Sequence, residues 1–311
     1  MDVLIHEMKV NGSKVILQLG DLFTNRQNMS VRMYADCKKL FTKFKDNDIR
    51  FISLLGNHDI YYKNSLQVNS HNMFDGLIES IQAQTDVTIN GYKCLLKPWM
   101  TENEQLPVDY DFIIGHFAIR NFEMVKGYVD TSSMLTNDFF MNTSTHCISG
   151  HYHLQNLTPY VSYIGTPWEL NWNDSGTSKG AFIWDKEWKD AKFIENTVSD
   201  RHVKVIQIEN GFEVHSGTST SVIDTKDIDK VQTYIDSTQD KVKFIKSVHV
   251  NDQTQDQSFQ LNLRPDVQVI DNTTSDYEAL PEFTQAIDYI KENIKPQFNE
   301  LLKDNLDIKE H

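Results

Sequence analysis

Four times in its first half this chain repeats one pattern: a short, largely β-branched apolar run stops at a polar cluster headed by glycine. Val15-Ile16-Leu17-Gln18-Leu19 runs into Gly20-Asp21, and Phe51-Ile52-Ser53-Leu54-Leu55 into Gly56-Asn57-His58-Asp59. Phe112-Ile113-Ile114 then meets Gly115-His116, and Cys147-Ile148-Ser149 meets Gly150-His151-Tyr152-His153. Runs that stay apolar rather than alternating read as strands buried on both faces. Their polar residues fall just past the strand ends, where open α/β sheets gather ligand sites. Between the first two runs, residues 31–47 carry Val31, Tyr34, Ala35, Leu40, Phe41 and Phe44 at partly helical spacing, which predicts a strand-helix-strand crossover. The fold class expected is α/β.

Residues 161–170 and 180–184 read as further strands, closing a first domain at about residue 200. Composition then changes. Val203 to Ile208, Val242 to Val250 and Ser258 to Leu263 read as strands and 226–238 as a helix, so 201–270 is expected to be a small α+β accessory domain. The polar stretch 251–257 reads as a loop and 271–278 as a linker. In the last part, 271–311, Leu280, Phe283, Ile287, Ile290 and Ile294 recur every third or fourth residue as one apolar helical stripe. Pro296 interrupts it, and Phe298, Leu301, Leu302 and Leu306 form a shorter second stripe. Packing on the chain's own core is the ordinary use of such a stripe; docking on a partner helix is the sharper one.

At 311 residues, core burial is not limiting, and no segment approaches the ~18 consecutive apolar residues of a membrane helix. The first residues lack a basic, then apolar, secretory pattern, so a cytoplasmic protein is expected. Cys37, Cys94 and Cys147 are odd in number and unpaired in spacing, which argues against a disulfide framework or thiolate zinc. Cys147 reads as a small buried residue. The net charge of −14 excludes a generally basic nucleic-acid-binding surface, although −8 of it lies in residues 251–311.

The polar clusters supply what a pair of hydrolytic divalent ions ~3.5–4 Å apart requires: oxygen and imidazole donors around a bridging carboxylate. Asp21 suits the bridge, Asn57 offers an amide oxygen, and His116, His151 and His153 offer imidazole nitrogens. His151 and His153 would share a side on an extended strand, but on a turn after Gly150 they could diverge to different metals. Glycines 20, 56, 115 and 150, each ahead of a ligand candidate, would allow tight turns or close backbone approach. His58 is a candidate general acid or transition-state stabiliser, with Asp59 expected to orient it. A lone Gly-Asp is usually a turn and a lone histidine a structural one; four such clusters in this order are specific. His6, His71, His146, His202, His215, His249 and His311 have no such context and read as surface or structural.

At these residues the chain resembles the calcineurin-like metallophosphoesterases, and more closely the SbcD-type nuclease subunits of double-strand-break repair complexes, especially their T-even phage branch. The phage likeness rests on Gly56 to Asn64, Pro98-Trp99-Met100, Gly115-His116-Phe117, Ser149 to His153 and Tyr163-Ile164-Gly165-Thr166-Pro167-Trp168. It is good over residues 1–200 and rests beyond that on element order. The resemblance implies a β-sandwich flanked by helices, a small capping domain and a C-terminal helical segment. It implies Mn2+- or Mg2+-dependent exonuclease and endonuclease activity on DNA, a coiled-coil SMC-like ATPase partner, a homodimer within a heterotetramer, and the host cytoplasm for a phage-encoded chain. By the same likeness Asp21 bridges two metals, Asn57, His116 and His151 serve one, His153 the other, and His58 is the catalytic histidine.

One family feature has no counterpart. Members open with a strand carrying Asp-x-His, which serves the same metal as His153, whereas here Asp2 and His6 are four apart and residues 2–10 read as the end of a crossover helix. The chain is therefore expected to start at an internal methionine, about two dozen residues into the family pattern, with one metal position incomplete. Two other functions fit the same residues: a phosphatase or cyclic-nucleotide phosphodiesterase, and a non-catalytic module that binds DNA ends or a partner.

Overall fold

A computed structural model describes residues 2–101, 104–184, 191–208, 211–216, 219–223, 228–238, 242–249 and 268–272. The chain opens with helix α1 (Asp2–Val10), followed by strand β1 (Val15–Gln18), helix α2 (Val31–Asp46) and strand β2 (Arg50–Leu54). Ser30 caps α2, its side chain accepting the Met33 amide. β1 and β2 are parallel, as a helical crossover requires, and β2 pairs in parallel with β3 (Glu79–Ile81). Within this three-stranded sheet β1 is an edge strand.

A second sheet has six strands. It is built from β4 (Thr85–Ile89), β5 (Tyr92–Lys97), β6 (Phe112–His116), β9 (His146–Gly150), β10 (Gln155–Leu157) and β11 (Val161–Ile164), with the small hairpin β7 (Glu123–Val125) and β8 (Tyr128–Val129) and helix α3 (Asn137–Thr143) between β6 and β9. Its order is β10-β11-β9-β6-β5-β4, with β5, β6, β9 and β11 parallel. The strand expected over 161–170 ends at Ile164, where Gly165 takes a φ of +70° and Pro167 cannot donate to a ladder.

Side-chain alternation explains why the four apolar runs are continuous. In the second sheet Leu96, Ile114 and Ile148 face inward with Leu19 and Leu54 of the first, and Leu17 packs against this shared core. Their neighbours Leu95, Ile113 and Cys147 face outward into a cluster with Phe117, Phe140, Tyr152 and Tyr163. The outer face of the first sheet is covered by the two helices, through Ile5 and Met8 of α1 and Phe41 and Phe44 of α2 packed with Phe51. Each such side chain taken fully out of water is worth ~1.5–3 kcal/mol. The α/β class and the two-layer arrangement are thus those the sequence predicts.

Strands β12 (Gly180–Trp184) and β13 (Ala191–Glu195) form a hairpin. Beyond it lies a five-stranded sheet of order β16-β15-β14-β17-β18, made of β14 (Arg201–Ile208), β15 (Gly211–Ser216), β16 (Ser219–Ile223), β17 (Val242–His249) and β18 (Gln268–Asn272). Helix α4 (Ile228–Thr238) seals it through Val231 and Ile235 against Val203, Val205 and Val214. Residues 271 and 272, read as linker, belong to β18. The strand at 258–263, the loop at 251–257 and the apolar stripes of 280–306 lie outside the described residues. Among the described residues no helix is long and apolar enough to cross a membrane.

His71 is a structural histidine, fully buried between strands, with Nδ1 2.9 Å from Ser80 Oγ and Nε2 3.4 Å from Ser53 Oγ. Burial pushes it down to about 4, so it stays neutral beside Asp59 and the 3.7 Å approach is not an ion pair. The unfolded chain takes up this proton near the ordinary value of 6.5, and the native state only near 4. Stability is therefore lost as pH falls through that window, by about 2–3 kcal/mol between about pH 7 and about pH 4.5. Urea titrations of wild type and His71→Asn at both pH values should show that much less acid sensitivity in the variant; equal slopes would assign the loss elsewhere.

Candidate metal centre

The parallel strands deliver the four polar clusters to one end of the two sheets. Opposite Ser53 in the ladder, β1 ends at Gln18, and the chain turns through Gly20 to Asp21. β2 leads to Asn57 and His58. In the second sheet His116 sits directly opposite Gly150, which brings His151, the next residue, alongside His116.

Asp21, Asn57, His116 and His151 converge. His116 Nε2 lies 3.2 Å from Asp21 Oδ2, 3.1 Å from Asn57 Oδ1 and 3.2 Å from His151 Nδ1. The other nitrogen of His116, Nδ1, is 2.7 Å from the Leu19 carbonyl. A carbonyl only accepts, so Nδ1 carries a proton and Nε2 faces the cluster. Burial, reinforced by the His116 charge, pushes His151 down to about 3, so its ring is neutral. Burial raises the Asp21 carboxyl, but the His116 hydrogen bond and charge and the His58 amide outweigh it, and Asp21 is held below the ordinary carboxylate value. The result is a carboxylate, an amide and two imidazoles whose polar atoms lie close together. The mixed oxygen and nitrogen donors fit a first-row divalent ion such as Mn2+.

The backbone is strained to reach it. Asp21 and His151 both occupy left-handed conformations, with φ of 56° and 83°. Non-glycine residues adopt these at a cost of about 1–2 kcal/mol each, and such outliers concentrate at functional sites. Trp99 forms one wall, its ring 5.1 Å from that of His151 and 5.9 Å from that of His116.

The turn at His151 resolves the geometry of the His-x-His pair: the two side chains diverge. His153 leaves the cluster and places Nδ1 3.3 Å from Asp174 Oδ1. His58 is exposed beside the cluster. Its amide donates to Asp21 Oδ1 at 2.8 Å and its Nδ1 to the Thr24 carbonyl at 3.0 Å, which leaves Nε2 directed elsewhere.

Asp59 corrects an expectation. It makes no contact with the His58 ring, whose partner is the Thr24 carbonyl. Fully buried, its carboxylate instead accepts the amides of Gly56 at 2.9 Å, Phe23 at 3.1 Å and Leu22 at 3.2 Å, clasping the Asp21 loop to the Asn57 loop. Burial pushes Asp59 up to about 6 against the pull of the Gly56 amide, with the Asp21 charge adding to the rise. It shapes the site without entering it.

Asp174 and Lys179 have no counterpart in the sequence reading. Both are fully buried, and Lys179 Nζ donates to Asp174 Oδ1 at 2.9 Å and to the His153 carbonyl at 2.8 Å. Burial would raise Asp174, but the His153 ring and the Lys179 charge hold it down at about 2. Of the remaining histidines, His146 bonds Ser162 Oγ and the Pro159 carbonyl, while His202 contacts Glu169. The cysteines are free, with Cys94 and Cys147 buried.

No family model matches the chain. It is similar to exonuclease subunit 1 of Enterobacteria phage T4, with 27% identity over 305 residues that cover 91% of this chain and 89% of that protein. The likeness therefore runs well past residue 200, into the region where the sequence reading had element order alone. The chain thus has, over nearly its whole length, a relative that is a subunit of a phage exonuclease.

Proposed function

We propose that this chain is the nuclease subunit of a DNA recombination and repair complex and hydrolyses DNA phosphodiesters at a divalent-metal centre. One observation carries the reading: the ligand atoms of Asp21, Asn57, His116 and His151 converge at the ends of parallel strands, in a chain related to a phage exonuclease subunit. Asn57, His116 and His151 would hold one Mn2+ or Mg2+ ion, His153 would serve a second, and Asp21 would bridge them. When bound, such ions supply Lewis-acid stabilisation of charge on the phosphate oxygens. The chain's own groups do the rest. His58, fixed through Nδ1 by Thr24, presents Nε2 to the phosphate, where it stabilises developing charge or protonates the departing oxygen. Asp59 keeps the two loops that carry Asp21 and His58 in register.

The wider assembly belongs to the same proposal: residues 1–200 as nuclease domain, 201–270 as accessory domain, and 271–311 as the linker and helices that dock on an SMC-like coiled-coil ATPase, in a heterotetramer containing two nuclease chains. One observation favours a non-catalytic role for these residues alone. Among the described residues the only carboxylate contact of His153 is Asp174, already committed to Lys179, so the second position has few ligands.

Degradation of linear duplex DNA in Mn2+, by this chain and by an N-terminally extended form, tests the proposal. The expected result is cutting that His58→Ala lowers on the order of 10²-fold while Mn2+ binding persists. Cleavage of small phosphoesters but never of DNA would replace it with the phosphatase reading; DNA-end binding without cutting by either form would replace it with the non-catalytic one.

A further inference from the structure

Asp174 and Lys179 form an ion pair from which water is excluded on both sides, each at zero exposure. Taking two charges out of water costs several kcal/mol per ion, and apolar residues of similar volume often serve a fold as well. Such a pair is weak evidence of a contribution to stability, so its position has to explain it.

That position is behind His153. Lys179 Nζ bridges Asp174 Oδ1 and the His153 backbone carbonyl. The other oxygen, Asp174 Oδ2, accepts the amides of Leu170 at 3.0 Å and Asn171 at 3.2 Å. Asn171 closes the turn with a reciprocal capping box to Asp174. The carboxylate is therefore immobilised at both oxygens, and the backbone of His153 is tied to the same lysine. The His153 amide is fixed separately, to the Met124 carbonyl at 2.9 Å.

The ring completes the picture. His153 Nδ1 is buried and has no formed hydrogen bond, although Asp174 Oδ1 is 3.3 Å away. The distance is the more telling of the two facts, since among the described residues no other group bonds this nitrogen. Hydrogen bonds of this kind are often loose in the free protein and tighten when the site is loaded.

We infer that Asp174, held by Lys179, is a positioning residue for His153: it accepts the Nδ1 proton and so fixes the tautomer whose Nε2 lone pair is free to ligate a divalent cation. A carboxylate behind a ligating imidazole raises the basicity of the ligand and sets the angle of its ring, and its loss costs 10–100-fold in metal affinity in general. The inference rests on the metal-centre reading above for the identity of what Nε2 binds. Lys179 has a distinct part: by donating to both Asp174 Oδ1 and the His153 carbonyl, it keeps the carboxylate and the histidine at a fixed spacing.

The test uses the full chain, Mn2+ alone as the probe, and histidine labelled with 15N. In the metal-free wild type, the long-range 1H–15N spectrum should show His153, assigned by its loss in His153→Gln, as the Nδ1–H tautomer. Asp174→Asn should mix the tautomers and weaken, by roughly 10–100-fold, the same Mn2+-binding step that His153→Gln weakens, read by electron paramagnetic resonance of free Mn2+. Lys179→Arg, which keeps the charge and donors, should retain more of that affinity than Lys179→Met. Wild-type His153 in the Nε2–H tautomer, or Mn2+ binding unchanged by Asp174→Asn when Asp21→Asn abolishes it, overturns the positioning role and leaves the metal centre standing. Absence of Mn2+ binding by the wild type overturns both. Should Asp174→Asn fail to fold, the wild-type tautomer decides alone.

Discussion

Asp21→Asn is expected to lower the Mn2+ affinity of the chain by about three orders of magnitude, about 4 kcal/mol, while leaving the fold intact. Among the four converging donors Asp21 is the only carboxylate; Asn57 is an amide, and the other two are imidazoles, which carry no negative charge. Its removal takes away the one full negative charge that offsets dehydration of a divalent ion. The substitution is otherwise mild. Asparagine tolerates the left-handed φ of 56° at this position, and its side-chain oxygen can still accept the His58 amide that Asp21 Oδ1 accepts now. The measurement is thermal or urea unfolding with and without Mn2+. At a concentration about 100 times the wild-type Kd, the ion should stabilise wild type by about 2.7 kcal/mol and the variant by almost nothing. Equal stabilisation of both would mean that the ion binds elsewhere and that the convergence at His116 has another purpose.

The parts of this site legible in the sequence are those set by local geometry. A buried parallel strand has to be apolar on both faces and has to end in a loop, so each run and its glycine-headed cluster can be read from neighbouring residues alone, and β1, β2, β6 and β9 stand where those runs are. The β4–β5 hairpin carried an equally local signal that went unread. Asn90-Gly91, between alternating strands, is a strong two-residue turn sequence, and both residues have positive φ, 52° and 89°. The strand expected to run to residue 170 shows the reverse error, since Gly165 and Pro167 mark its end.

What could not be read depends on contacts between distant residues. Asp59 looks like the partner of its neighbour His58, but its bonds to Leu22 and Phe23 cross 37 and 36 positions. Asp174 ends a short 3-10 turn (Trp172–Asp174) and Lys179 follows in a loop, and their relation to His153 exists only after the chain has folded back. The choice between shared and diverging histidines at 151 and 153 likewise depended on one backbone angle, the φ of 83° at His151.

The closeness of the two loops that bear Asp21 and Asn57 leads to the second large effect. A methyl group at Gly56 would sit 2.2 Å from both the backbone nitrogen and Oδ1 of Asp21, and 2.9 Å from its Cγ. No rotamer relieves a clash with a backbone nitrogen, so Gly56→Ala must push the β1 and β2 loops apart, against the two amide hydrogen bonds, from Phe23 and Leu22, by which Asp59 holds them. Overpacking of this kind costs about 1–3 kcal/mol, and disturbing the groups that hold metal ligands in place costs about 10–100-fold in metal affinity. The expected outcome is therefore a loss of Mn2+ affinity of that size together with the loss of stability. Gly91→Ala separates the two effects. Its methyl group meets nothing within 4 Å, but φ is +89°, so alanine there is strained without touching the site. Gly91→Ala should lose about 1–2 kcal/mol of stability and keep wild-type Mn2+ affinity in the folded fraction. If both variants lose stability and neither loses affinity, close approach of the loops at Gly56 serves the fold rather than the metal centre.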